Sequence, residues 1–149
     1  MCMTNTFFKK SLVVFWACWW LIALWTDIVG GLAHLGVLHA SFAPDLNYPA
    51  LVQSMSMYHA PSWLTGALFI GILLWLSLVS VSFCWASLAL TRPTDVWVSR
   101  ARIAYIVSLG LWLAFFLSDQ IVMKFDFEQN HMVQGGFEFL CFLSLYLLP

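Results

Sequence analysis

The side chains that could bind a metal or move a proton are few, and they cluster. His34, His39 and His59 all fall within HLGVLHASFAPDLNYPALVQSMSMYHAPSW (His34–Trp63), which also holds Met55, Met57 and three of the five prolines. The fourth histidine, His131, is followed by Met132. Thioether and imidazole together form the soft ligand set that suits Cu(I), so Met55, Met57, His59 and His131 are copper candidates. Methionine also fills apolar gaps, which is the plainer reading of Met55 and Met57. Two histidines could instead ligate haem b, with His34 and His131 as the candidate pair. A haem inside a bilayer needs histidines well within facing spans. All four here are expected at helix ends or in loops, where bonding to acids or lipid headgroups is the simpler role.

The second cluster is acidic. Asp27, Asp119 and Glu138 interrupt otherwise apolar runs. A carboxylate placed in hydrocarbon is costly and turns toward other helices or water. Tyr105, Ser108, Trp112, Phe115 and Asp119 recur at intervals of three and four, and so do His131, Gln134, Glu138 and Cys141; each set forms one helix face. Packed inward, these faces would gather Asp27, Asp119, Gln134 and Glu138 into one pocket. At about 1.5 Å per residue, Asp27 and Asp119 lie near one interface while Glu138 lies deepest. Glu138 is therefore expected to be protonated or tightly hydrogen-bonded at neutral pH, with Gln134 as donor and Asp119 as neighbour.

The elements that must hold these groups are dictated by composition. Of 149 residues, 62% are hydrophobic and 9% charged, against roughly a quarter charged in soluble domains. Lipid must be the solvent for much of such a surface. A net charge of −1 argues against nucleic acid as a partner. A membrane helix needs ~20 mostly apolar residues. Four segments come close, at about 11–31, 61–90, 102–123 and 132–148. Each must be helical, because an isolated segment in lipid cannot otherwise satisfy its backbone. The expected fold is all-α: one integral membrane domain spanning residues 1–149, a four-helix bundle with a long outer loop between its first two spans. Within that loop NYPALVQSMSMYH reads as a short surface helix, with Leu51, Met55 and Tyr58 on one face. The first apolar run exceeds the ~7–15 residues of a signal peptide and lacks its cleavage site, so it reads as an uncleaved span.

Charge sets the orientation. Lys9, Lys10, Arg92, Arg100 and Arg102 fall on one side of the spans and Lys124 alone on the other. By the positive-inside rule both termini are cytoplasmic and the histidine-rich loop is outside, which is periplasm in a Gram-negative bacterium. Acids run the opposite way. Asp27, Asp45, Asp119, Asp126, Glu128 and Glu138 are outer, and only Asp95 is inner.

Other features have packing explanations. Ser77, Ser80, Cys84 and Ser87 form a stripe of small residues that lets another helix approach. Cys2, Cys18, Cys84 and Cys141 contain no CxxC, a departure from the four-helix thiol oxidoreductases that the chain matches in size. Trp16, Trp25, Trp63 and Trp97 fall where an interfacial aromatic belt is expected. Trp19, Trp20, Trp75 and Trp112 are deeper and could meet lipid, a quinone or a partner helix.

No complete catalytic set emerges. The first functional expectation is a small non-enzymatic inner (plasma) membrane protein. It would be an accessory or structural subunit, with lipid and other membrane subunits or a second copy as partners, and without a cofactor. A second is a periplasm-facing copper or haem redox protein. A third is a proton-coupled carrier using Glu138.

Overall fold

A computed structural model describes residues 3–39 and 46–148, apart from the side chain of Met3. Cys2 and Asp45 lie outside the described residues. Five helices follow one another: α1 Met3–His34, α2 Asn47–Ser56, α3 Ser62–Ser87, α4 Thr94–Ile121 and α5 Phe125–Leu147. There is no strand among the described residues. Three segments are long and apolar enough to cross a membrane: Thr4–His34, Ser62–Ser87 and Thr94–Ile121.

Helix ends differ from the expected span ends for local reasons. α1 starts at Met3 and runs through Gly30 and Gly31 to His34. α4 starts at Thr94, eight residues before the apolar run, because Pro93 cannot continue a helix behind it and Asp95 favours a first turn. α5 starts at Phe125 with Asp126 and Glu128 in its first turn. Those acids stabilise a helix N-terminus by complementing its dipole. They also make the start of α5 polar, which is why that helix is less clearly apolar than the other three. The short surface helix is α2; Leu51 and Met55 are half-buried, but its one fully buried side chain is Ser54.

α1 packs on α3, α3 on α4 and α4 on α5, with α5 also touching α1; α2 rests on α1 and α3. The core runs along these contacts and includes Trp16, Trp20, Val79, Phe83, Trp97, Tyr105, Leu111 and Trp112. Two expected belt residues are thereby corrected. Trp16 and Trp97 are each 1% exposed and belong to the core, whereas Trp25 and Trp63 are open at the surface. Trp97 is drawn in because α4 begins early and puts it one turn inside the helix. The small-residue stripe of α3 lies at the edge of its contact. Leu76, Val79, Phe83 and Ala86 fill the centre, and of the stripe only Ser80 is buried. Ser80 donates from Oγ to the carbonyl of Trp20 at 3.0 Å, tying α3 to α1; Ser77, Cys84 and Ser87 are half-buried. At Gly31 a Cβ would come within 2.9 Å of the Phe69 ring, so a larger residue would have to displace that ring for α1 to approach α3 this closely.

The two ends of the assembly are chemically distinct. At one, Lys10 donates to the Leu90 carbonyl at 2.5 Å and sits over the Trp97 ring. Arg100 lies over Trp85 and Arg102 over Tyr146, with the cation-to-ring distances 4.4 and 4.6 Å. The other end carries α2, Asp27, Asp119 and the four histidines.

Candidate functional site

Glu138 is the one acidic side chain among the described residues with 0% of its surface exposed. It projects from α5 into a cage made by α1 and α4. Trp20 donates from Nε1 to Oε1 at 3.3 Å, and Trp112 donates from Nε1 to Oε2 at 2.6 Å. Ser108 Oγ is 2.6 Å from Oε1 and also 3.0 Å from the carbonyl of Tyr105. Ser108 and Trp112 lie four apart on α4 and therefore face the same way. The Trp20 and Trp112 rings also pack together, centroids 5.3 Å apart. One turn further along α4, the buried hydroxyl of Tyr105 has no hydrogen-bond partner among the described residues.

The neighbours expected for Glu138 are not the ones it has. Gln134 donates instead to Asn130 on its own helix, at 2.9 Å. Asp119 is taken by His131, whose Nδ1 is 2.5 Å from Oδ2. The single pocket of Asp27, Asp119, Gln134 and Glu138 thus resolves into separate sites. The physical reason is depth: His131 is two turns before Glu138 on α5, and Asp119 on α4 lies level with the histidine rather than with the glutamate.

The His131–Asp119 pair joins α4 to α5 near the end that bears α2. His131 is 23% and Asp119 7% exposed. The imidazole stacks on Phe115 at 4.8 Å and meets Trp112 at 5.8 Å. This is a clamp between helices, made from the same α4 stripe that supplies the cage. A double-mutant cycle on Asp119→Asn and His131→Gln should return a coupling of about 1 kcal/mol, the scale of polar contacts between membrane helices. Reversible unfolding in mixed micelles measures it, and a coupling near zero would mean that the pair does not hold the helices.

A third contact fastens α2. Asn47 donates from its amide to Asp27 of α1. Tyr48 packs between His34 of α1, at 4.6 Å, and Phe69 of α3, at 5.1 Å. Beyond the end of α2, Tyr58 donates from its hydroxyl to the Ile121 carbonyl at the end of α4. Met57 and His59 are exposed and Met55 is half-buried. His59 has φ +51°, a left-handed conformation that turns the chain from α2 into α3. Among the described residues no three His, Cys, Asp or Glu side chains come together in a way that could hold a metal ion.

No family model, curated protein or solved structure matches the chain.

Several residues of these sites had no place among the sequence candidates. Asn47 and Tyr48 open α2, whose docking on α1 and α3 is a long-range contact. The sequence places Trp20 deep in its span, but its partner Glu138 is 118 positions away. Gly135 has a readable signal: it lies four after His131 and three before Glu138, on their face. A Cβ there would lie 3.0 Å from Trp112 Cγ and from Phe116 Cζ.

Proposed function

We propose that the chain is a multi-pass protein of the inner (plasma) membrane, a four-helix transmembrane bundle of α1, α3, α4 and α5 with α2 on the outer surface. Its role is non-enzymatic, as an accessory or structural subunit of a larger membrane assembly or of a homo-oligomer. One observation carries this reading: the two buried carboxyl groups of α4 and α5 are engaged by side chains of the neighbouring helices. Glu138 is closed in by Trp20, Ser108 and Trp112, and Asp119 by His131. These contacts fasten helices together. The outward faces carry large apolar side chains such as Trp25, Ile70, Leu74, Leu113, Val133 and Leu140. With its acid turned inward, α5 can face lipid as the other helices do.

The aromatic-seated cations at one end support cytoplasmic termini. A periplasm-active reporter should give signal when fused after His59 and none after Thr94. The reverse pattern would overturn the orientation. Purification in a gentle detergent should recover other membrane proteins or an oligomer of the chain. A monodisperse monomer that retains full function in the cell's absence of partners would defeat the subunit reading.

A second reading is favoured by Ser108. Its single O–H can donate to the Tyr105 carbonyl or to Glu138, but not fully to both. If it donates to the carbonyl, Glu138 must donate to Ser108 and so carries a proton. Glu138 is then the proton-holding group of a small carrier, and Tyr105 is the next hydroxyl along. Infrared spectroscopy should show a protonated carboxyl band that Glu138→Gln removes; its absence from the unmodified protein would refute this reading.

A further inference from the structure

At the end opposite α2, the fold buries one lysine. Lys9 of α1 is 3% exposed. It donates from Nζ to the carbonyls of Leu148, at 2.6 Å, and Leu145, at 3.4 Å. These are carbonyls at the end of α5, which no helical N–H reaches. An ammonium has three donors, and carbonyls satisfy its hydrogen bonds without cancelling its charge. A buried charge calls for a counter-charge. The His131–Asp119 ion pair lies at the far end.

Lys9 borders a cavity of about 520 Å³. Arg102 lines it as well, its guanidinium seated on the Tyr146 ring. Thr94 and Asp95 line it too, as the first residues of α4. No side chain caps that helix start, so its N–H groups add positive potential. Among the described residues that line it, two cations stand against the Asp95 carboxylate, an excess of about +1 that one anionic group of single charge would balance. Val98 and Leu145 make the remaining wall apolar.

We propose that this cavity is a binding site for the phosphodiester of an anionic glycerophospholipid. Lys9 and Arg102 hold the phosphate, and the acyl chains run along the apolar faces of α4 and α5. A phosphodiester has a single negative charge and fits the balance; a phosphomonoester dianion would be opposed by Asp95. The site rests on the membrane reading above, and its test separates the two.

The purified full-length protein, exchanged into micelles doped with phosphatidylglycerol or phosphatidylcholine, is examined by native mass spectrometry. One phosphatidylglycerol should be retained in preference to phosphatidylcholine. Arg102→Gln, at an exposed position that should not disturb folding, should reduce that preference about five-fold, and so should Lys9→Gln. Lys124→Gln, at the other end, should leave it unchanged. Equal retention of the two lipids would overturn the site, though the protein would still be a membrane protein. Displacement of the lipid by millimolar glycerol phosphate or inorganic phosphate would identify a free-anion site and overturn the lipid assignment. A loss with Lys124→Gln as large as with Arg102→Gln would reduce the effect to general surface charge and overturn it as well.

Discussion

Glu138→Ala should destabilise the protein by about 2–6 kcal/mol, the sum for two buried donors left without an acceptor. The substitution leaves two donors, Trp20 Nε1 and Trp112 Nε1, facing a void where the carboxyl was, while Ser108 Oγ keeps the Tyr105 carbonyl as its acceptor. Each donor stranded in a dry core costs about 1–3 kcal/mol. The indoles cannot easily turn to new acceptors, because their rings are packed against each other and against the core. Glu138→Gln should be far milder, at about 1 kcal/mol. Its carbonyl oxygen can still accept from Trp112, and its amide can donate to Ser108 Oγ while Ser108 donates to the Tyr105 carbonyl. Only the long bond from Trp20 is lost. Unfolding in mixed micelles gives both values. An alanine variant as stable as the glutamine one would mean that water reaches the cage and that it is not a sealed core site. The glutamine variant also separates the two functional readings. A clasp made only of hydrogen bonds survives it with function intact, whereas a carrier that uses the proton of Glu138 folds and inserts but loses transport.

The second large effect belongs to Gly135. Gly135→Leu should cost about 1–3 kcal/mol or more by overpacking the contact between α4 and α5. Even the first added carbon would meet Trp112 Cγ at 3.0 Å, Trp112 Cβ at 3.1 Å and Phe116 Cζ at 3.0 Å. Phe116 can shift, but Trp112 is held at its far end by Glu138. The helices must separate, and the cage one turn away opens with them. Gly136→Ala is the control with the opposite sign. Nothing lies within 4 Å of its added carbon, so replacing a mid-helix glycine should stabilise by up to ~1 kcal/mol. A Gly135 variant as stable as the unmodified protein would show that the helices do not approach as closely as described.

The chain's helical character is legible in its composition and periodicity. A chain in which 62% of the residues are hydrophobic cannot cover its surface with polar groups and needs a nonaqueous solvent. In that solvent a helix is the one element that satisfies its own backbone, so long apolar runs declare themselves one segment at a time. The α4 stripe of Ser108, Trp112, Phe115 and Asp119 is equally local, because residues three and four apart share a face whatever that face meets. The start of α5 is local too, but its signal is acidic residues at a helix N-terminus, which a search for apolar runs passes over.

Partner choice is another matter. Which acid meets which donor depends on how far one helix slides along another, and a slide of one turn exchanges the partners. The stripe on α4 offered Glu138 either Asp119 or Ser108 and Trp112. The actual register puts Asp119 beside His131 and brings Trp20 in from α1. Gly31, Gly135 and the core tryptophans set that register through steric fit, which is a property of pairs of surfaces. The burial of Lys9 has the same origin. By itself the sequence determines which residues share a face and which end of the chain is basic. Only the tertiary structure decides that one lysine caps α5 from within and that one glutamate is enclosed, because both depend on contacts between residues more than a hundred positions apart.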